Sequence, residues 1–154
     1  MDKILVTGAT GFVGAALVRQ LVQQGHQVRI TVRNTSLTRN IQDLPVERVS
    51  ADIMDLDAVR RACAGCDRLY HVAGLYRTWM RDYGELYRIN VQGTRNVLAA
   101  ALATGMQKVV HTSSIAALGI RLDGRPADEQ TPFNLRHLKL PYEESKYEAE
   151  QVAW

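Results

Sequence analysis

Short apolar runs alternate along the chain with longer segments of helical periodicity. The first run, Lys3–Thr7, is nearly continuous in apolar residues, as in a parallel strand that is buried on both faces. Later runs have the length and the β-branched content of strands. They cover residues 27–32, 46–51, 67–72 and 108–112. The pattern therefore predicts five strands.

Helical spacing of apolar residues follows most of these strands. The predicted helices cover residues 12–24, 55–61 and 82–104. Gly25 and Gly105 are placed to end the first and the last of these helices. Pro141 is placed to begin a further helix, whereas residues 119–140 contain glycines and prolines and predict a loop.

The alternation of strands and helices implies βαβ crossovers and a parallel sheet with helices on both faces. We expect an α/β fold with a doubly wound sheet in the strand order 3-2-1-4-5. A chain of 154 residues suits one hydrophobic core. Residues 1–154 are therefore expected to form a single domain. The motif described next indicates that this domain binds a nucleotide.

A glycine-rich turn joins the first strand to the first helix. Its glycines are three residues apart, and a turn without Cβ atoms lets the backbone approach a pyrophosphate closely. The helix that follows presents free amide groups and the positive end of its dipole to such an anion. The turn predicts a Rossmann-type cofactor site. Its expected binding residues are Gly8, Thr10, Gly11, Phe12, Val13 and Gly14.

The Gly-x-x-Gly-x-x-Gly spacing resembles that of the extended short-chain dehydrogenases/reductases, the NAD-dependent epimerase/dehydratase family. Later motifs follow in that family's order, so the resemblance covers essentially the whole chain. They are Ala51-Asp52-Ile53, His71-Val72-Ala73-Gly74, Asn90-Val91-Gln92-Gly93-Thr94, Thr112-Ser113-Ser114 and Tyr142-x-x-x-Lys146. Within the family, the chain is most similar to the dihydroflavonol-4-reductase-like reductases and the hopanoid-associated sugar epimerases.

The resemblance implies further cofactor contacts. Asp52 would hydrogen-bond the adenine amino group, and Ile53 would pack beside it. Asn90 would support the catalytic lysine through water or by positioning a helix, although capping or packing would explain it equally well. The family's fourth-strand motif adds Val72, Ala73 and Gly74 to the cofactor-binding residues.

The residue that ends the second strand favours NADP(H) as the cofactor. An acidic residue there would accept hydrogen bonds from a ribose 2′-hydroxyl and repel a 2′-phosphate. The chain has Arg33 instead, which can pair with a phosphate and stack on adenine. NAD(H) stays open as the alternative.

Tyr142 and Lys146 are four residues apart at the start of a predicted helix, so they share one helix face. A lysine ammonium favours the phenolate of a nearby tyrosine, which makes the tyrosine a better acid–base catalyst at neutral pH. The resemblance implies that Lys146 also bonds the nicotinamide ribose and that a serine orients the substrate carbonyl. Motif alignment favours Ser114 over Ser113 for that serine.

Together these residues predict NADP(H)-dependent reduction of a carbonyl group by hydride transfer. The expected substrate is a small carbonyl compound or a nucleotide sugar. A nucleotide-sugar epimerase or dehydratase uses the same residues and stays open as an alternative. A non-catalytic NADP(H)-binding protein or an inactive fragment is a further alternative, although the retained Tyr-x-x-x-Lys pair argues against it.

Composition and charge exclude other classes of function. A net charge of +3, with scattered Lys and Arg, is too small to predict a nucleic-acid-binding protein. The chain has neither a long apolar span nor a recognisable signal sequence, so we expect a cytoplasmic protein that does not enter the membrane. Cys63 and Cys66 lack a second pair of zinc ligands and are expected to be small, half-buried residues.

The family's fold continues beyond a Tyr-x-x-x-Lys helix with a substrate-binding region, so we expect that region to be absent here. The fifth strand would then be an apolar sheet edge, which allows a homodimer. Alone, the chain is expected to bind the adenosine end of NADP(H) with little turnover. Four aromatic residues are consistent with either a substrate mouth or helix packing. They are Tyr76, Trp79, Tyr83 and Tyr87.

Overall fold

Five parallel strands form one sheet in the order β3-β2-β1-β4-β5. The computed structural model describes residues 2–77 and 79–154. The strands are β1 (Lys3–Thr7), β2 (Gln27–Val32), β3 (Glu47–Ser50), β4 (Arg68–His71) and β5 (Lys108–His111). The predicted α/β class and doubly wound strand order are confirmed.

Strand β1 occupies the middle of the sheet and pairs with β2 on one side and β4 on the other. Its residues Ile4, Leu5 and Val6 are at most 1% exposed. Since consecutive residues of a strand point to opposite faces, both faces of the sheet are buried at β1, which explains why its apolar residues are continuous rather than alternating.

Helices follow every strand except β2, since the described residues 33–46 between β2 and β3 form no helix. They are α1 (Phe12–Gln23), α2 (Leu56–Cys63), α3 (Gly84–Tyr87), α4 (Gly93–Ala103) and α5 (Pro141–Ala153). Val18 and Leu21 of α1 pack into the core that β1 and β2 form. The Asp55 side chain accepts a hydrogen bond from the amide of Ala58 at 2.9 Å and so caps α2.

The predicted long helix over residues 82–104 begins at Gly84, ends at Ala103 and is not uniform. Residues Arg88–Gln92 form a π-helical turn between α3 and α4. Within this region the hydroxyl of Thr94 donates to the carbonyl oxygen of Asn90 at 2.6 Å. A threonine hydroxyl in a helix commonly donates to the carbonyl oxygen four residues earlier in this way.

The loop predicted over residues 119–140 is present, with one short 3₁₀ turn at Arg136–Leu138. The Asn134 side chain bridges its two ends, since it accepts from the Ile120 amide at 2.9 Å and donates to the Ile120 carbonyl at 2.9 Å. One exposed side chain therefore closes this loop.

The described residues fall into two compact units. One comprises Met1–Gly74 and Asn96–Thr112 and contains the whole sheet, and the other comprises Leu75–Arg95 and Ser113–Trp154. Strand β5 lies at an edge of the sheet, where Val110 is 37% exposed. None of the described helices has both the length and the apolar character that a membrane crossing requires.

Candidate active site

The glycine turn after β1 is packed so closely that side chains cannot be accommodated there. Gly8 has a φ of +72°, and a Cβ at that position would lie 2.5 Å from the amide nitrogen of Ala73. A Cβ on Gly14 would overlap the carbonyl oxygen of Gly8. The turn is therefore a bare backbone cradle beside the loop after β4, and it brings the predicted residues Val72–Gly74 next to the glycines.

Helix α1 begins at this cradle without a side-chain cap. Gly11 is its N-cap residue, and no side chain hydrogen-bonds to the helix end. Phe12 is 92% exposed and Val13 is also exposed, so the first turn is open to solvent. The first amides of a helix have no partners within the helix and favour an anion. A cofactor pyrophosphate fits this backbone.

Two buried polar side chains hold the cradle against β4. The Thr7 hydroxyl and the His71 Nδ1 atom are 2.7 Å apart, and both residues are fully buried. The same Thr7 oxygen accepts from the Ala73 amide at 3.4 Å. One hydroxyl group thus adds a side-chain link to the backbone pairing of β1 and β4 beside the glycines.

The residues expected near the adenosine lie at the ends of β2 and β3. Arg33 is exposed, and among the described residues its guanidinium has no hydrogen-bond or ion-pair partner. One carboxylate oxygen of Asp52 accepts from the Met54 amide at 2.9 Å. Ile53 is buried, and its carbonyl oxygen accepts from the Asn96 side chain at 2.9 Å. The free guanidinium is thus available to an external anion.

In the second unit, helix α5 carries Tyr142 and Lys146 one turn apart. Lys146 is 7% exposed. Burial lowers the pKa of Lys146, and the negative charge of Glu150, one turn further on, acts in the opposite direction.

The two adjacent serines have different partners. The Ser113 hydroxyl donates to the carboxylate of Glu150. The Ser114 oxygen accepts from the Ala116 amide at 3.1 Å and caps the 3₁₀ turn Ile115–Ala117, which packs against α5. Because the Ser113 hydroxyl already donates its proton to Glu150, Ser114 is the serine of this pair whose hydroxyl remains able to donate a hydrogen bond.

Asn90 lies in the π-helical turn and is 2% exposed. Its amide oxygen accepts from the Leu75 amide at 2.7 Å, and its nitrogen donates to the Leu75 carbonyl at 3.0 Å. The same nitrogen donates to the Ser145 hydroxyl at 2.9 Å, which in turn donates to the Tyr142 carbonyl at 2.7 Å. Asn90 therefore connects the loop at Leu75 to the helix that carries the Tyr-x-x-x-Lys pair.

Ser145 was not among the predicted site residues. Its position directly before Lys146 was the available signal, but its partner is 55 residues away in the sequence. Spacing rules describe neighbours on one helix and do not predict such a pairing.

Of the four aromatic residues, Tyr76 and Tyr87 contact other side chains, although Tyr76 is 67% exposed. The rings of Tyr76 and Tyr142 meet edge to face with their centroids 4.8 Å apart. The Tyr87 hydroxyl donates to Glu144 at 3.1 Å, and burial, followed by Glu144, raises the pKa of Tyr87 to about 12. Trp79 and Tyr83 are exposed. Tyr76 thus lies directly against the predicted catalytic tyrosine.

Both cysteines are buried and unpaired. Burial raises the pKa of Cys63 to about 11, so its thiolate is scarce at neutral pH. The described residues include no group of three or more His, Cys, Asp or Glu placed to hold a metal ion.

Comparison with known proteins identifies relatives along the entire chain. The profile of the NAD dependent epimerase/dehydratase family matches residues 4–154. A candidate dihydroflavonol 4-reductase of Synechocystis sp. is 48% identical over 152 residues, which is 99% of this chain and 44% of that protein.

The solved structures that superpose on this chain also match it along nearly its whole length. The crystal structure of gox2253 superposes with a TM-score of 0.92 at 46% identity, covering 99% of this chain and 46% of that one. The UDP-glucose 4-epimerase of Thermus thermophilus, solved with NAD, has a TM-score of 0.84 at 27% identity, covering 98% of this chain and 49% of that one. The chain thus spans about half the length of the relatives that it matches.

We expect Gly8→Ala to destabilise the protein by about 3 kcal/mol, since it combines a strained φ with a backbone clash. Gly65→Ala is the matched control, because Gly65 also has a φ of +72° but a Cβ added there would meet nothing within 4 Å. The control should cost about 1 kcal/mol. Urea unfolding of both variants measures the difference. Equal losses would show that the contact with Ala73 is unimportant.

We expect Asn90→Ala to destabilise the protein by about 2–3 kcal/mol, because both polar backbone groups of Leu75 lose a buried partner. Asn134→Ala removes an equivalent pair of bonds to Ile120 at an exposed site and should cost less than about 1 kcal/mol. Thermal unfolding followed by circular dichroism compares the two variants. Similar changes in both would contradict the importance of the Asn90 bridge.

Proposed function

Because the chain belongs to the NAD dependent epimerase/dehydratase family, we propose that it is the cofactor-binding half of an NADP(H)-dependent oxidoreductase that reduces a carbonyl group. The observation that carries this proposal is the bare cradle at Gly8, Gly11 and Gly14, which opens onto an uncapped helix. That arrangement suits a dinucleotide pyrophosphate.

The positions of the described residues support the proposed contacts with the cofactor. The cradle and the first turn of α1 take the pyrophosphate through backbone amides, with Thr10 at the turn. Asp52 retains one carboxylate oxygen for the adenine amino group after its bond to Met54, and Ile53 packs beside the base. The loop at Val72–Gly74 lies against the cradle and completes its wall.

The preference for NADP(H) depends on Arg33. Its exposed guanidinium has no partner among the described residues and can form a bidentate pair with a 2′-phosphate. The Thermus thermophilus epimerase was solved with NAD, so NAD(H) is the alternative cofactor that the experiment below compares.

The chemical roles fall on three side chains of the second unit. The nicotinamide ring, when bound, supplies the hydride that the carbonyl carbon accepts. Ser114 donates a hydrogen bond to the carbonyl oxygen, and Tyr142 gives that oxygen its proton. Lys146 provides a positive charge that favours the phenolate left behind, and together with Tyr142 it would hold the nicotinamide ribose. Asn90 positions α5 through Ser145.

An epimerase or dehydratase acting on a nucleotide sugar is the second candidate. The family name and the structural similarity to a UDP-glucose 4-epimerase favour it. Transient oxidation at one sugar carbon would use the same serine, tyrosine and lysine. Retention of the Tyr142–Lys146 pair argues against a purely non-catalytic NADP(H)-binding protein.

We also propose that residues 1–154 correspond to the NAD(P)-binding domain of the relatives and that substrate selection depends on other residues. The chain covers 44–49% of the relatives compared above, which supports this assignment. Since β5 is a sheet edge with Val110 exposed, a homodimer that pairs two such edges belongs to the same proposal.

Arg33→Ala should weaken NADPH binding roughly tenfold or more and leave NADH binding unchanged, because only NADPH carries the 2′-phosphate. Titration of the intrinsic fluorescence with each cofactor measures both dissociation constants. Arg61→Ala, which removes the same charge from an exposed position on α2, is the control. Unchanged NADPH affinity in Arg33→Ala would end the assignment of NADP(H).

Tyr142→Phe should lower kcat by about 10²–10⁴-fold, because it removes the proton donor and keeps the ring, and should weaken NADPH binding by only about tenfold or less through loss of one ribose hydrogen bond. Activity is followed as NADPH oxidation with aldehydes, ketones and sugar nucleotides, in the protein that contains this chain. Tyr147→Phe, on the same helix, should retain activity. Full activity of Tyr142→Phe would contradict the proposed mechanism.

A further inference from the structure

A hydrogen bond connects the segment that carries Ser114 to the helix that carries Tyr142 and Lys146. The Ser113 hydroxyl donates to the Glu150 carboxylate, across 37 residues of sequence. Ser113 directly precedes Ser114, and Glu150 follows Lys146 by one helical turn. Neither Ser113 nor Glu150 has a role in the reaction proposed above.

Glu150 also lies one helical turn from a buried lysine, Lys146. Burial lowers the pKa of Lys146, and the charge of Glu150 opposes that effect. The other carboxylates towards the middle of α5 have their own partners: Glu144 accepts from Tyr87, and Glu148 lies 3.7 Å from Arg136.

Few other ionisable groups surround Lys146. The 3₁₀ turn Ile115–Ala117, which packs against α5, has no ionisable side chain. The helical residues 84–92 also pack against α5 and contribute Glu85, Tyr87 and Arg88. On α5 itself, Tyr142 and Glu143 are the ionisable residues about one turn before Lys146. Glu150 is the one among these whose charge acts on Lys146.

We propose that Ser113 and Glu150 are positioning residues for the Ser114–Tyr142–Lys146 site, a role that rests on the proposed function. Their hydrogen bond holds the segment of Ser114 against α5, so that the Ser114 and Tyr142 hydroxyls can address one substrate oxygen. The carboxylate held in this way favours the protonated, cationic form of the Lys146 amine.

The two parts of this role can be separated by substitution. Glu150→Gln keeps an oxygen that can accept from Ser113 but removes the charge. Ser113→Ala removes the hydrogen bond but keeps the charge, and Ser113→Thr retains a hydroxyl. Glu148→Gln removes the same charge from another position on α5 and is the matched control, since Glu148 pairs with Arg136.

The test is an NMR titration of the ¹³Cε resonance of Lys146, assigned with Lys146→Arg, in the protein that contains this chain. Glu150→Gln is expected to move the midpoint to lower pH, whereas Glu148→Gln leaves it unchanged. A midpoint that is the same in the two variants would overturn the role of the Glu150 charge.

Steady-state kinetics tests the hydrogen bond. Ser113→Ala is expected to lower kcat about tenfold or more with less than about a twofold change in the NADPH dissociation constant, and Ser113→Thr to recover most of that loss. Wild-type kcat in Ser113→Ala would overturn the positioning role. If Ser113→Ala does not fold, Ser113→Cys, whose thiol is only a weak hydrogen-bond donor, decides the question, and a wild-type kcat in that variant would overturn the positioning role.

Tyr142→Phe in the same assays separates this inference from the proposed function. An active Tyr142→Phe variant overturns the proposed function itself. An inactive Tyr142→Phe variant, together with Glu150→Gln that behaves as Glu148→Gln does, overturns only the role of Ser113 and Glu150.

Discussion

The unit that contains the sheet depends on the contact between two stretches of backbone, the Gly8 turn after β1 and the loop after β4 at Ala73. No Cβ atom fits between them. Because β1 and β4 are parallel neighbours, their carboxyl ends meet at the same edge of the sheet, and the Thr7–His71 bond holds them there. The solvent-exposed first turn of α1 comes directly after the Gly8 turn. The close packing of β1 against β4 therefore also fixes where the exposed amides of α1 lie.

The second unit depends on a buried amide group in a comparable way. Asn90 satisfies both polar groups of Leu75 and connects to Ser145 on α5. A fully satisfied buried polar network is rigid, because breaking any one bond leaves a desolvated group without its partner. Helix α5 thus combines a rigid support with a buried lysine, and the Ser113–Glu150 bond attaches it also to the segment of Ser114.

Much of the fold could be predicted from sequence because its signals are local. Continuous apolar runs identified the strands, and the strand–helix alternation led to the confirmed sheet order. The π-helical turn at Arg88–Gln92 was not predicted, since one altered turn hardly changes the apolar spacing of a long helix. For Asn90, sequence allowed positioning, capping or packing, and only the structure supplied its partners at Leu75 and Ser145.

By itself the sequence determined where the backbone must be bare, which helix pairs Tyr142 with Lys146, and that an arginine rather than an acid follows β2. These features depend on residue type and short spacing. The tertiary structure decided which distant groups meet: Ser113 with Glu150, Asn90 with Ser145, and the ring of Tyr76 with that of Tyr142. The physical reason is that hydrogen bonds and ring contacts depend on distances in space, which chain folding creates between residues far apart in sequence.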